Sequence, residues 1–415
     1  MTRYVTASTQ ARTPAWVHVV RTLVVLVLVA LVGGATYLVF APLPAIASED
    51  APIESPAVGD AQVSWPAAGA AAFAIEGVEG ASGTTGDAAV PMASITKLVT
   101  MLVVLEEHPI DGGEGADIAI GAEDVAFMQT AFDEAAPYYP VRTGQTVTQA
   151  DLVEASVVAS SANASMTLAR WGFGSIDAFL DAANDWAQRN GLTTMVVADA
   201  AGLSLDSVAS PADMVRLGEL AVADPIVGAA MGQRSVSVTG LGVQANTNPL
   251  LGVSGIDAGK TGALFVSGRN LLVSATATVD GQTLRAVAVV AGQISEDDRD
   301  AATIALVDSL WQNVQTREVL PAGSVVATSR AAWGPASEAT TDAALSSLAW
   351  VAQPLEVVVE VEPVRTGVGS MEVGTVTVAG TELATTVTAR RIAEPDLLWR
   401  LSNPFLLLGL ADARG

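Results

Sequence analysis

Only two of the 20 basic residues in this 415-residue chain are lysines, Lys97 and Lys260; the other 18 are arginines. An ammonium sheds its proton when its surroundings depress its pKa, whereas a guanidinium effectively does not. A lysine kept against such a background therefore points to chemistry. The first stands in Pro91-Met92-Ala93-Ser94-Ile95-Thr96-Lys97. If this opens a helix, the three-residue spacing puts Ser94 and Lys97 on one face, a turn apart. The helix continues as LVTMLVVLE, apolar nearly all round, which predicts a buried central helix. Desolvation there would lower the Lys97 pKa and make it a neutral base toward the Ser94 hydroxyl. The plain alternative is a serine at a helix start beside a lysine that snorkels to water.

The second lysine lies in Asp257-Ala258-Gly259-Lys260-Thr261-Gly262-Ala263-Leu264-Phe265, a strand-like run of small residues. An ammonium beside a threonine hydroxyl suits a substrate carboxylate, and Gly262 removes the side chain that would block it. A second cation near Lys97 would also help to depress that lysine's pKa. Between the lysines, Ser160-Ser161-Ala162-Asn163-Ala164 falls where one helical pattern ends and another begins. Ser161 there could pass a proton to a leaving amine. Asn163 could bond a substrate backbone and the Lys97 side chain. A helix cap explains the same pattern without function.

Composition removes other chemistries. Forty-four acidic residues against 20 basic give a net charge of −24, with no basic run, so nucleic acid is not an expected partner. The chain has no cysteine and two histidines, His18 and His108, which excludes thiolate zinc sites, disulfides and a cysteine nucleophile. No metal or cofactor is expected. A Ser-His-Asp triad would rest on His108 alone, in Glu107-His108-Pro109, so the serine's base is expected to be something other than histidine.

The elements that must position these groups can be read coarsely. Residues 1–21 read as a cytoplasmic tail, and 22–41 as a transmembrane helix without a charge, long enough for about 30 Å of hydrocarbon. Arg3, Arg12 and Arg21 before it and Glu49 and Asp50 after it put the rest of the chain outside the cytoplasm. A signal peptide cleaved after Ala45-Ile46-Ala47 remains open and would give a secreted protein. Residues 42–66, with five prolines, read as an extended linker. Residues 67–318 read as an α+β domain with one sheet covered by helices. It holds a strand at 71–77 and helical patterns at Ser94–Glu107, Thr148–Ala159, Ser175–Asn190, Pro211–Ala223 and Glu296–Gln315. A hairpin over 269–292 turns at Asp280-Gly281. Residues 319–392 read as a small separate β domain, and 393–415 as an amphipathic tail, interfacial or packed on the protein.

The order Ser-x-x-Lys, Ser-x-Asn, Lys-Thr-Gly resembles the penicillin-binding proteins and serine β-lactamases. MASITKLVT, VTQADLVEASVVASSANAS and GIDAGKTGALFVSGRNLLVSA are similar to the low-molecular-mass penicillin-binding proteins that are serine-type D-alanyl-D-alanine carboxypeptidases. The resemblance covers residues 67–318 and implies the β-lactamase/transpeptidase-like fold, an antiparallel sheet flanked by helices, often followed by a small β domain. It implies a substrate, peptidoglycan stem peptide ending in D-Ala-D-Ala, and β-lactam antibiotics as inhibitors. By position it makes Ser94 the nucleophile, Lys97 the base, Ser161 the proton relay and Asn163 the substrate-amide ligand. Lys260 and Thr261 would hold the terminal carboxylate, and the amides of Ser94 and Ala263 would form the oxyanion hole.

Four positions depart from the family pattern. Ala263 and Leu264 stand where members often have His and a hydroxyl residue. Thr247, in Asn246-Thr247-Asn248-Pro249-Leu250, stands where many have Arg. Ala162 replaces the glycine of Ser-Gly-Asn. A β-lactamase is the enzymatic rival, but Glu219 lies inside a helical pattern rather than in a loop that could present a deacylating base. A catalytically idle wall-binding module is the non-enzymatic rival.

Overall fold

Near-continuous apolar runs, buried on both faces, form the middle of the central sheet, whose strands lie in the order Ile256–Leu264, Gly268–Val279, Gln282–Gln293, Ala70–Ile75, Ser82–Thr84. All neighbours are antiparallel. Alternate residues divide between two cores. Ala72, Leu272, Val287 and Val289 face one, with the helices Thr96–Glu107 and Pro211–Ala223. Phe73, Leu271, Val273, Ala288 and Val290 face the other, with Leu306, Val307 and Leu310 of the helix Glu296–Trp311. The computed structural model describes residues 14–410. It divides into one unit of residues 57–317 with 348–354, which holds this sheet, and a second that contains 318–347 and 355–415 together with the N-terminal 56 residues.

Local signals account for the best-read elements. Asp280 and Gly281 both have positive φ, +49° and +83°, as the tight turn of a two-residue hairpin requires. Ser210 caps the helix at Pro211 by accepting from the Asp213 amide at 3.1 Å. The helix Thr96–Glu107 buries ten consecutive residues, Thr96 to Leu105, as its all-round apolar character predicts. Helices at Ala122–Asp133 and Pro225–Gly232 go beyond the sequence reading, although Asp224 caps the second by accepting from the Ile226 and Val227 amides, and Ala162–Phe173 is the pattern expected to begin at the Ser-x-Asn bend.

The second unit contains a six-stranded antiparallel sheet ordered Ala47–Asp50, Val325–Arg330, Ala336–Thr341, Ala384–Arg390, Ser370–Val378, Val357–Val361. Its first strand lies inside the stretch expected to be pure linker. A sheet edge offers unpaired N–H and C=O groups to any extended segment, whatever its side chains, so composition does not betray such a strand. The helix Ala15–Phe40 starts earlier than expected, exposes its apolar surface and is long and apolar enough to cross a membrane. The stretch expected to be an amphipathic tail contains two short helices, Leu397–Ser402 and Pro404–Leu407. Leu398 and Phe405 are exposed, while the Arg400 guanidinium is buried and donates to Ala41 O at 2.9 Å. Residues 1–13 of the expected cytoplasmic tail, with Arg3 and Arg12, and 411–415 of the C-terminal tail lie outside the described residues.

Candidate active site

The turn before the buried helix is held in an unusual shape. Ala93 has φ +50°, a left-handed conformation that costs a non-glycine residue free energy. Asn270, on the second strand of the sheet, fixes it: its side-chain amide donates to Pro91 O at 2.9 Å and Met92 O at 3.2 Å. The chain then enters a single 3-10 turn, Ala93–Ile95, and the helix. Ser94 comes out half-buried, with Lys97 one turn on and almost fully enclosed at 1% exposure.

Lys97 Nζ lies 2.6 Å from Ser94 Oγ and donates to Ala201 O at 2.7 Å. Burial pulls the lysine's pKa down from 10.5 to about 7, partly opposed by the charge of Asp199. Near neutrality a large share of this amine is therefore unprotonated against a hydroxyl, the arrangement a general base needs.

The loop that receives Lys97 is organised by one carboxylate. Asp199 accepts from the amides of Ala201, Gly202 and Leu203 with one oxygen and from the Ser204 amide and Ser207 hydroxyl with the other. Two helices brace the same loop: Thr100 Oγ1 and Ser165 Oγ both donate to Ala200 O, at 2.8 and 2.6 Å. Gly202 has φ +72°, and a Cβ there would fall 1.8 Å from Ala93 O, so only glycine fits where the loop meets the turn that carries Ser94.

The opposite wall is the strand Ile256–Leu264. A Cβ on Gly262 would sit 2.8 Å from Met92 O and 3.3 Å from Ser94 N, so this strand runs in contact with the Ser94 backbone. Ala263 is exposed. Lys260 is fully buried, and its pKa is held well below the ordinary lysine value, first by burial and then by the charge of Lys97. The two lysines thus belong to one site. Lys260 Nζ donates to Ser160 Oγ at 2.8 Å and to Thr261 O at 3.1 Å. Thr261 Oγ1 donates to Thr247 Oγ1 at 2.7 Å, so Thr247 contributes a neutral hydroxyl to this wall.

Ser161 and Asn163 open the helix Ala162–Phe173. The Ser161 hydroxyl donates to Asn163 Oδ1 at 3.1 Å. Asn163 in turn accepts from the Tyr139 amide at 2.7 Å and donates to Tyr139 O at 2.9 Å. The bond expected between Asn163 and Lys97 is not formed: the polar head of Asn163 is taken up by the Tyr139 backbone and Ser161, and Lys97 is taken up by Ser94 and Ala201. Sequence reasoning also missed Ser160, Asp199 and Asn270. The one signal for them was chemical type beside a motif, in Ser160's case a second hydroxyl directly before Ser161.

His108 takes no part. Its ring meets Trp171 with centroids 4.5 Å apart, and Nε2 lies 2.9 Å from Gly172 O. Glu219 sits within the helix Pro211–Ala223, paired with Arg216 at 2.9 Å. Among the described residues, no cluster of three or more His, Asp or Glu is placed to hold a metal ion.

Sheet, buried helix and facing lysines define a serine-nucleophile fold of the penicillin-binding type. The structure of penicillin binding protein 5 from Haemophilus influenzae matches 81% of this chain and 99% of its own, with a TM-score of 0.57 at 21% identity. A family model described as D-alanyl-D-alanine carboxypeptidase matches residues 82–294, just over half the sequence, and the chain belongs to that family. Among curated proteins, a D-alanyl-D-alanine endopeptidase of Pseudomonas aeruginosa is 33% identical over 32% of this chain and 39% of its own length. D-alanyl-D-alanine carboxypeptidase DacC of Escherichia coli is 29% identical over 44% and 47%. The chain thus spans less than half the length of either curated relative.

Proposed function

We propose that this chain is a serine D-alanyl-D-alanine carboxypeptidase that removes the terminal D-Ala from peptidoglycan stem peptides through an acyl-enzyme. The observation that carries the reading is the 2.6 Å contact between Ser94 Oγ and a buried Lys97 amine whose pKa is lowered to about 7. Neutral Lys97 accepts the Ser94 proton as Oγ attacks the carbonyl carbon of the penultimate D-Ala. The oxyanion that forms faces the amides of Ser94 and Ala263, each such donor being worth about 3 kcal/mol in related acyl transfers. Lys97 returns the proton toward the leaving nitrogen through Ser161, whose hydroxyl turns from Asn163 to make the transfer. Free D-Ala departs. Water activated by the same amine then hydrolyses the ester. Lys260, with the Thr261 hydroxyl, binds the terminal carboxylate, Gly262 keeps that path open, and Asn163 binds the acyl-side amide.

A β-lactam offers the same carbonyl and carboxylate, so penicillins are expected to acylate Ser94. Deacylation is expected to be slow, because Glu219, paired with Arg216 on its helix, gives no deacylating carboxylate of the β-lactamase kind. The helix Ala15–Phe40, the basic residues before it and the acidic ones after it support a single-pass anchor with the catalytic unit outside the cytoplasm. The test is incubation of the full chain in detergent with an N-acylated tripeptide ending in D-Ala-D-Ala, and separately with fluorescent penicillin. Free D-Ala and a long-lived label lost in Ser94→Ala are expected. Rapid turnover of the β-lactam would favour the β-lactamase, and absence of both label and D-Ala would favour an idle module.

A further inference from the structure

Two adjacent serines stand at the mouth of this site, and their hydroxyls serve different partners. Ser161 donates to Asn163 Oδ1. Ser160 accepts from Lys260 Nζ at 2.8 Å, and both partners of that bond are buried, with 5% and 0% exposure. Ser160 also has φ +57°, the left-handed conformation that glycine adopts freely and serine does not. It sits where the Ser161 amide reaches back to Ala155 O and the Ala162 amide to Pro137 O. The backbone therefore enforces the bend, and a glycine would satisfy it with less strain. A side chain retained at such a place is explained by what its hydroxyl touches, and that is Lys260.

We infer that Ser160 is the positioning residue for Lys260, setting where its ammonium meets the substrate carboxylate, while Ser161 serves Asn163 and the leaving group. The inference rests on the carboxypeptidase reading. Lys260 Nζ has three protons once charged. Ser160 and the Thr261 carbonyl take two and thereby aim the third. Among the described residues, Ser160 is the one side chain that accepts from it. The Ser160 hydroxyl, accepting from nitrogen, keeps its own proton free to donate toward the same carboxylate. Loss of this acceptor leaves the Lys260 ammonium less well solvated and easier to deprotonate. Carboxylate binding requires the protonated form, so activity falls as pH rises through the Lys260 pKa. That alkaline limb must therefore move to lower pH when the Ser160 hydroxyl is removed.

The experiment compares Ser160→Gly and Ser161→Gly with the wild-type full chain, following D-Ala release from the N-acylated tripeptide and penicillin acylation from pH 5 to 10. Glycine at 160 relieves the backbone, so thermal unfolding of that variant is expected to be unchanged or raised. Its KM is expected to rise at least tenfold, with kcat less affected and the alkaline limb displaced toward acid. Ser161→Gly is expected to lower kcat chiefly and to leave that limb in place. Wild-type KM and an unmoved alkaline limb in Ser160→Gly would overturn the inference while leaving the carboxypeptidase intact. So would a lowered unfolding temperature that accounts for the whole loss of activity. If the wild type itself releases no D-Ala and takes no label, the carboxypeptidase reading and this inference fail together.

Discussion

The role proposed for Lys97 comes at a cost in stability. In the unfolded chain it titrates near the ordinary lysine value of 10.5, but in the folded chain near 7, so between those values the unfolded chain holds more protons. Stability therefore rises with pH through that window, and the penalty for burying the ammonium is greatest below pH 7. Lys97→Met keeps length and apolar packing while removing the charge. It is expected to stabilise the fold at pH 6 by on the order of a few kcal/mol, with the gain shrinking toward pH 10, as denaturant melts at several pH values would record. The same variant should take no penicillin. Lys97→Arg, with a cation that cannot become neutral, should be equally silent. These two lysines were legible because lysine is so rare here that its placement carries information. Ser160, Asp199 and Asn270 were not, since serine, aspartate and asparagine are common, and the partners of Ser160 and Asn270 lie far away along the chain.

At the scale of elements, the loop from Asp199 to Ser207 decides where Lys97 points. Its shape comes from five donors gathered on one carboxylate rather than from any repeating pattern, so neither helical nor strand periodicity could reveal it. The hairpin at 268–293 and the helix at Pro211 were legible for the opposite reason: each is written in a few adjacent residues, Asp280-Gly281 and Ser210-Pro211. The helix Ala162–Phe173 was legible at its start alone, where Ser160 to Ala164 reads as the end of one helical pattern and the beginning of another. Asp199 also acts on Lys97 through charge, holding its pKa higher than burial alone would. Asp199→Asn retains an acceptor oxygen and removes the charge. Neutral Lys97 is then favoured further, and the acid limb of the acylation profile, where activity appears as Lys97 loses its proton, should shift to lower pH. Reduced acylation is expected at the optimum, about tenfold or more, because one amide oxygen replaces two carboxylate oxygens in ordering the loop. An acid limb that stays in place would show that Asp199 does not act on Lys97 through its charge.

At the scale of the whole chain, composition marks a change of texture after Pro321 and predicts a single boundary near it. The fold instead sends the chain back. Residues 348–354 rejoin the catalytic unit, where Trp350 is buried at 4% exposure against Phe73, with ring centroids 5.5 Å apart, and Phe73 meets Trp65 at 5.6 Å. Around it Val351 N donates to Asn313 O at 2.8 Å, and the Arg317 guanidinium donates to Gln353 O at 2.7 Å and Ala57 O at 2.8 Å. A return of seven residues leaves no mark in composition, because a strand-rich stretch looks the same whichever core it serves. Its energetic weight is nevertheless that of a core aromatic, whose truncation to alanine typically costs about 3–5 kcal/mol. A fragment ending at 317 would contain every motif residue and still lose this closure. Three proteins separate the possibilities: residues 57–415, the same with Trp350→Ala, and residues 57–317. The first should unfold cooperatively and bind fluorescent penicillin. The second should melt well below it yet label fully at low temperature, since Trp350 touches none of the reacting groups. The third should be the least stable of the three and should lose its label on mild warming. Equal melting temperatures for the first two would mean that the buried tryptophan adds nothing to the catalytic unit's stability, and that the motifs' own domain is self-sufficient.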